Sequence, residues 1–392
     1  MRAQKIQRVT VIGINFLRNF GVILVDSFLK PFLPSISPKP LLLGLVRLDD
    51  IGDFITWLNG ATYIRKYYSD HRIILIGNRS WSDLAKTLPY WDEVFAINVG
   101  KLKRNFFYRW VVFRQIRAMR LEMVIQPTHV CCLVTGDSIV RISQATTKIG
   151  SSGDTTSNRN GWQKRIANRW YSQLIPASPQ PLMVLERNAE FARNLTGAQI
   201  EIHPFSMPQP LASIDRLVPG TKYFLVFPGS NGKYKIWPKE RFASLTSSLV
   251  LMTGYTPIIC GAPGEMDLCE WIAAHADKAI NHAGKTSLLE VCEMIRNAEF
   301  VVGNDSGSIH IAATYNVPSF SILGGGNYGL FQPYPDNWIG EKPCIINYSM
   351  PCYGCGWRCY FTASTDSPFP CITNISVDFA LESIRKKIMV EN

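Results

Sequence analysis

Two hydrophobic rhythms divide the chain. From Leu41 onward, short continuous apolar runs alternate with stretches of helical period. "LLLGLV" (Leu41 to Val46), "RIILIG" (Arg72 to Gly77), "EVFAIN" (Glu93 to Asn98) and "MVIQP" (Met123 to Pro127) read as strands. A helix is expected from near Asp53, with Phe54, Trp57, Leu58 and Ala61 on one face. Residues 150–219 are polar, rich in Ser, Asn, Arg and Pro, and have no clear period. They read as the end of a first domain plus a crossover. The alternation resumes at "KYFLVFPGS" (Lys222 to Ser230) and continues through "PIIC", "EFVVGNDSG" and "PSFSILGG", with helices expected between these runs and a basic amphipathic helix from Val377 to Val390. Strands that are apolar throughout, separated by helices, imply parallel βαβ units with both sheet faces covered.

Before Leu41 the rhythm differs. The apolar stretch from Val9 to Leu33 is interrupted by Arg18, Asn19, Asp26 and Lys30, and no small-residue cleavage site follows it. At 100° per residue, Arg8, Asn15, Arg18, Asn19, Asp26 and Lys30 fall within a sector of roughly 120°. Spanning a bilayer would carry Arg18 and Asp26 through hydrocarbon at about 2.5–3.5 kcal/mol each. A helix in the membrane interface leaves that stripe in water, and Arg2, Lys5 and Arg8 favour anionic lipid. Packing on the protein's own core is the other reading. Pro31, Pro34, Pro38 and Pro40 end the segment and read as a linker.

The length, 392 residues, suggests two domains, and the composition excludes disorder, collagen and coiled coil. A net charge of +11 favours anionic partners, although a merely solvated basic surface gives the same sum. No nucleic-acid-binding module is recognisable, so no nucleic acid partner is expected.

The chemistry concentrates at strand ends, where α/β proteins place ligands. In "RLDDIGDF", Arg47, Asp49, Asp50 and Gly52 precede Asp53 at a helix start. Asp53 there is either an N-cap or a general base. "FPGSNGKYKIWP" (Phe227 to Pro238) carries Gly229, Ser230 and Lys235, suited to phosphate oxygens, or simply a solvated lysine pair. "GNDSGSIHIAA" (Gly303 to Ala313) places Asp305, Ser306 and Gly307 at a strand-to-helix junction that can bind an anion, with His310 on the helix as a ligand contact or a satisfied core histidine. "GAPGE", ending at Glu265, and "LGGG" (Leu323 to Gly326) are further strand-end loops. Neither a Walker loop nor a full G-x-G-x-x-G fingerprint is present.

Ten cysteines are present. Cys131, Cys132, Cys260, Cys269 and Cys292 fall in expected core elements. Cys352, Cys355, Cys359 and Cys371, spaced C-x2-C-x3-C-x11-C with Cys344 nearby, could hold structural zinc or an iron–sulfur cluster, form disulfides, or remain free thiols.

Taken together, "RLDDIGD", "PGS…K.WP", "GAPGE", "NDSGSIHIAA…P" and the tail "CYGCGWRC…PC" resemble glycosyltransferase family 9, the heptosyltransferase family of lipopolysaccharide assembly, from about Leu41 to Val377. The resemblance implies a GT-B fold, with two Rossmann-like domains facing each other across a cleft. Together with the hydrophobic pattern, it divides the chain into an amphipathic helix and linker (1–40), which precede the family core, an acceptor domain (41–215), a nucleotide-sugar domain (216–376) and a C-terminal helix (377–392). It implies inverting, metal-independent transfer of a heptose or related sugar from an ADP-heptose-like donor to an anionic, lipid-linked glycan, with no cofactor, at the cytoplasmic face of the inner membrane. The family's base falls on Asp53 and its diphosphate lysine on Lys235. Its donor contacts fall on Asp305, Ser306, Gly307 and His310, and an acidic residue near the nucleoside falls on Glu265. An epimerase acting on a nucleotide sugar without a glycan acceptor is the alternative on the same architecture.

Overall fold

The computed structural model describes residues 19–130, 132–153, 161–205, 207–362 and 364–390. The chain forms two compact units. The first runs to Gln180 and takes up Arg187–Ile200; the second holds Pro181–Glu186 and the chain from Glu201 onward.

The first unit is built on six parallel strands, β1 (Lys39–Arg47), β2 (Arg72–Asn78), β3 (Glu93–Ile97), β4 (Leu121–Gln126), β5 (Thr147–Ser151) and β6 (Gln173–Ile175), in the order β3-β2-β1-β4-β5-β6. This is a Rossmann order, and its direction reverses between β1 and β4. The central strands are the apolar runs, because side chains on both of their faces are enclosed: Leu43, Leu45, Val46, Ile73, Leu75 and Val124 are buried. Helices α1 (residues 19–29), α2 (Ile51–Tyr67), α3 (Ser82–Lys86), α4 (Val99–Arg104), α5 (Phe106–Ala118), α6 (Gly136–Ile142) and α7 (Gly161–Asn168) belong to this unit. Helix α8 (Val184–Thr196) begins in the residues grouped with the second unit. So the polar middle contains the end of β5, one further strand and two helices that its composition does not announce. β6 is the edge strand and β5 lies beside it, where a strand can be short and mixed in character.

Helix α1 follows the second of the two readings of its segment. Of the polar stripe, Lys30 is exposed but Asp26 does not face water. Asp26 is 1% exposed and holds Arg109 of α5 in a two-pronged ion pair, with Arg109 Nε 2.6 Å from Oδ1 and Nη2 2.5 Å from Oδ2. Ser138 donates to the same carboxylate at 3.1 Å, and Leu29 and Leu33 are buried beside it. The described part of the segment is therefore packed on the first unit through Asp26, and among the described residues no helix is long and apolar enough to cross a membrane. Arg2, Lys5, Arg8, Asn15 and Arg18 lie outside the described residues.

The second unit repeats the topology with β7 (Tyr223–Phe227), β8 (Thr256–Ile259), β9 (Ile280–Asn281), β10 (Val301–Asn304), β11 (Ser319–Ile322) and β12 (Cys344–Ile346) in the order β12-β11-β10-β7-β8-β9, again parallel. Its reversal lies between β7 and β10. Helices α9 (Lys239–Thr253), α10 (Met266–His275), α11 (Leu288–Arg296), α12 (Gly307–Thr314), α13 (Pro370–Thr373) and α14 (Val377–Val390) complete it. Its core joins Phe224, Val226, Trp237, Phe242, Phe300 and Phe320 to the tail residues Phe369, Ile372, Ala380 and Ile384.

Candidate functional site

In the first unit, the loops after β1 and β4 flank the reversal point, and they border a cavity of about 370 Å³. Asp49, Asp50, Asp53, Lys103, Thr135 and Asn19 are among its lining residues. The β1 loop is tightly pinned. The Asp49 carbonyl accepts from Trp81 Nε1 at 2.8 Å and from Asn78 Nδ2 at 3.2 Å. Trp81 stacks on Phe54 with ring centres 3.9 Å apart, so the first turn of α2 rests on a rigid aromatic bed.

The N-cap position of α2 is Asp50, whose side chain makes no capping bond; Asp53 lies within the first turn. Asp53 is thus not the cap. Its carboxyl is pushed up to about 7 from an ordinary value of 3.8, chiefly by burial. Asp49 and Asp50 raise it further, while the Arg47 guanidinium opposes the rise. Arg47 is buried, donates from Nη2 to the Asp53 carbonyl at 3.2 Å and holds Asp49 at 2.8 Å. Gly52 supplies the carbonyl that accepts from Thr56 Oγ1 at 3.0 Å, fixing the turn. A carboxyl with its pKa near neutrality, at the edge of a cavity, has the properties of a general base.

In the second unit the β7 and β10 loops meet in the same way at the reversal point. Asn304, fully buried, donates from Nδ2 to the Pro228 carbonyl at 2.6 Å and accepts from the Trp237 amide at 3.2 Å. Trp237, also fully buried, donates from Nε1 to the Ile375 carbonyl at 3.0 Å. These bonds fix both ends of the Gly229–Lys235 loop. Gly229 lies directly against the Glu265 carboxylate, and a Cβ there would overlap it. Glu265 also accepts from the Ala262 amide at 2.8 Å, so it closes its own turn as well as backing Gly229. Lys235 sits in a short 3-10 turn with Nζ 4.9 Å from the centre of the Trp357 ring. Ser230 is half-buried in the same loop.

Asp305 accepts from Gln332 Nε2 at 2.7 Å. Ser306 is the N-cap position of α12, and Gly307 opens the helix, so the start of α12 has the arrangement of an anion site. His310 is enclosed rather than exposed: its Nδ1 lies 2.8 Å from Tyr334 Oη and its ring stacks on the tyrosine. Burial lowers its pKa, and Asp305 opposes this.

No motif marks Gln332 in the sequence; Asn304 and Trp357 fall inside the quoted motifs "NDSGSIHIAA" and "CYGCGWRC", but nothing local to them discloses a structural role. Replacing Asn304 with Leu would leave the Pro228 carbonyl and the Trp237 amide buried without partners. It is expected to cost about 2–3 kcal/mol and to weaken donor binding, as checked by thermal melts and ligand titration.

The cysteine tail packs on the "LGGG" loop. Trp357 and Tyr353 occupy the space where Cβ atoms at Gly326 and Gly325 would stand. The thiols of Cys352, Cys355 and Cys359 are near enough to Cys371 to act on its charge, and burial pushes the Cys371 thiol up. Among the described residues no three His, Cys, Asp or Glu side chains are grouped so as to hold a metal ion. Cys260, Cys269, Cys292, Cys344, Cys352, Cys355, Cys359 and Cys371 are free thiols; Cys132 is only half-buried, not a core residue, and Cys131 lies outside the described residues.

Comparison with known proteins gives a consistent family. The model of glycosyltransferase family 9 (heptosyltransferase) matches residues 140–353. The chain is 24% identical to lipopolysaccharide heptosyltransferase 3 of Escherichia coli over 310 residues, covering 74% of this chain and 86% of that one. Among solved structures, a glycosyltransferase family 9 protein from Veillonella parvula aligns with a TM-score of 0.67 at 17% identity, covering 92% of this chain and all of that one. The E. coli heptosyltransferase WaaC, solved with ADP-2-deoxy-2-fluoro heptose, aligns at 0.61 and 16%, covering 90% of this chain and all of that one. These alignments agree with the expected fold of paired Rossmann-like units.

Proposed function

The chain belongs to glycosyltransferase family 9, and from that premise we propose that it moves a heptose or related sugar from an ADP-sugar donor to a lipopolysaccharide-core or other lipid-linked glycan, inverting the anomeric centre. The observation that carries the reading is Asp53: a carboxyl raised to about 7, held over a cavity at the reversal point of the first sheet.

The chemistry requires a base and a home for departing charge. An acceptor hydroxyl must lose its proton as its oxygen attacks the anomeric carbon, and Asp53 takes that proton. Attack from the side opposite the leaving group inverts the centre. The bond to the nucleoside diphosphate breaks as the new glycosidic bond forms, and negative charge grows on the diphosphate. Lys235, the amides of the Gly229–Ser230 loop and the start of α12 supply the compensating donors, the task a divalent metal performs in other transferases. Asn304 and Trp237 hold that loop in register. His310, bonded to Tyr334, keeps α12 against its sheet and contributes to the donor site through the position of Asp305 and Ser306.

Lys235→Ala tests the donor half of this reading. A charge-assisted contact is worth about 1.5–3 kcal/mol, so donor affinity should fall about 10- to 100-fold. Titration with an ADP-linked sugar reads this, and unchanged donor affinity and turnover would remove Lys235 from the site.

We further propose that the enzyme works at the cytoplasmic face of the inner membrane, where a lipid-linked acceptor and a nucleotide sugar are both accessible.

A further inference from the structure

Helix α1 is turned so that its charged residue faces the protein and its largest apolar residues face out. With Asp26, Leu29 and Leu33 buried, Phe20, Leu24, Phe28 and Phe32 stand exposed at successive four-residue intervals. Phe28 is 69% exposed and Phe32 64%. Leu24 and Phe28 on the helix and Phe32 in the turn after it are exposed although the segment already has its core contact, and soluble surfaces seldom carry such a cluster of large apolar side chains.

What surrounds the stripe indicates the partner. Arg109, which holds α1 through Asp26, lies in α5, and Phe106 and Phe107 in the first turn of α5 are 52% and 68% exposed. Just before them stand the exposed Lys101, Lys103 and Arg104. From Val94 to Leu121 the sequence has seven basic residues and no acidic one. At the other end of α1, the positive charges of Lys30 and Arg117 act on Lys148 and, after burial, help lower its pKa, which marks a cationic cluster beside the stripe. Exposed aromatics flanked by the exposed Lys101, Lys103 and Arg104 match the two requirements of an anionic bilayer surface, apolar insertion and headgroup attraction. The same surface borders the Asp53 cavity, because Asn19 of α1 and Lys103 of α4 line it.

We propose that Phe20, Leu24, Phe28 and Phe32, with the Phe106–Phe107 turn and its neighbouring lysines and arginine, form a docking face for an anionic lipid bilayer. The inference deepens the membrane location proposed above but does not depend on the transfer chemistry. The face seats the mouth of the Asp53 cavity at headgroup level, where a lipid-linked acceptor presents its sugar.

The test is vesicle flotation with the full chain, using phosphatidylcholine vesicles with and without phosphatidylglycerol. Wild type should float with the anionic vesicles and much less with neutral ones. Phe28→Lys combined with Phe32→Lys adds two positive charges, yet should lower binding to anionic vesicles about ten-fold, because insertion is lost. Equal or tighter binding by this variant would overturn the proposal in favour of adsorption by charge alone. Failure of wild type to bind anionic vesicles would also overturn it. So would concentration-dependent self-association of wild type that the variant abolishes while vesicle binding stays unchanged, since the stripe would then be an interface between copies. Leu24→Ser is a smaller change at an exposed position; it should reduce binding several-fold with an unaltered thermal melt, and it carries the test if the double variant is poorly folded. Donor binding, followed by thermal shift, should be the same in all these proteins, which separates loss of docking from failure of the transferase reading.

Discussion

Asp53→Asn should lose about 10²–10⁴-fold in kcat while the protein becomes more stable at pH 8. Both effects have one cause. Burial, Asp49 and Asp50 raise the Asp53 carboxyl to about 7, so ionising it in the folded protein is costly. The sign follows from proton binding. Between the ordinary value of 3.8 and about 7 the folded state holds a proton that the unfolded state has released, so stability falls as pH rises through that window. Above pH 7 the penalty is fully present, on the order of 2–4 kcal/mol; below pH 4 it is absent. Asparagine cannot ionise and avoids it. Thermal melts of wild type and variant should therefore diverge as pH rises from 4 to 8, with the variant melting higher. The same asparagine cannot accept the acceptor's proton, so turnover collapses while donor affinity stays within a few-fold. A variant that loses donor affinity as severely as turnover would show Asp53 to be a binding residue instead.

Arg109→Ala should be the most destabilising single change in the first unit. Among the described residues it leaves Asp26, buried at 1% exposure, with the Ser138 hydrogen bond and the more distant Arg141 charge. Removing one partner of an enclosed ion pair costs about 3–5 kcal/mol, because the remaining charge is uncompensated. For a unit of this size that corresponds to a fall in melting temperature of roughly 6–20 °C. Arg109 also donates to the carbonyls of Leu102 and Val134, at 3.2 and 2.7 Å, so α4 and the β4 loop should loosen together with α1. Replacing both partners, Asp26→Leu with Arg109→Met, should recover much of the loss, since two apolar groups leave no charge behind. Circular dichroism melts read both outcomes. A loss below about 1 kcal/mol in Arg109→Ala would mean that α1 is not held by this pair.

These two residues mark the limits of what the sequence discloses. Asp53 is legible because its signal is local: a strand, a short polar turn and a helix start, all within a few residues. Even so, only the structure sets the cap reading aside, by placing Asp50 at the cap. Asp26 is left undecided by local pattern alone, between a water-facing stripe and a core contact. A helical period identifies its polar stripe, but whether that stripe faces water depends on Arg109, 83 residues further on. The central strands were legible as unbroken apolar runs because helices cover both sheet faces. β5, "TKIGS", and β12, "CII", lie towards or at the sheet edges and lack that constraint. In the second unit the loops that bear Gly229, Lys235, Asp305 and Ser306 were visible as motifs, but the bonds that register them were not. Asn304, Gln332 and Trp357 act through partners distant in sequence, and the motifs that contain Asn304 and Trp357 do not name those partners.

The most direct test of the account is the pH dependence of single-turnover sugar transfer from an ADP-linked heptose to a lipid-linked glycan, with chelator present. A glycan product should form at a rate that rises with an apparent pKa close to 7, and Asp53→Asn should form none at any pH. Release of nucleotide without a glycan product, or a rate independent of pH between 5 and 8, would contradict it.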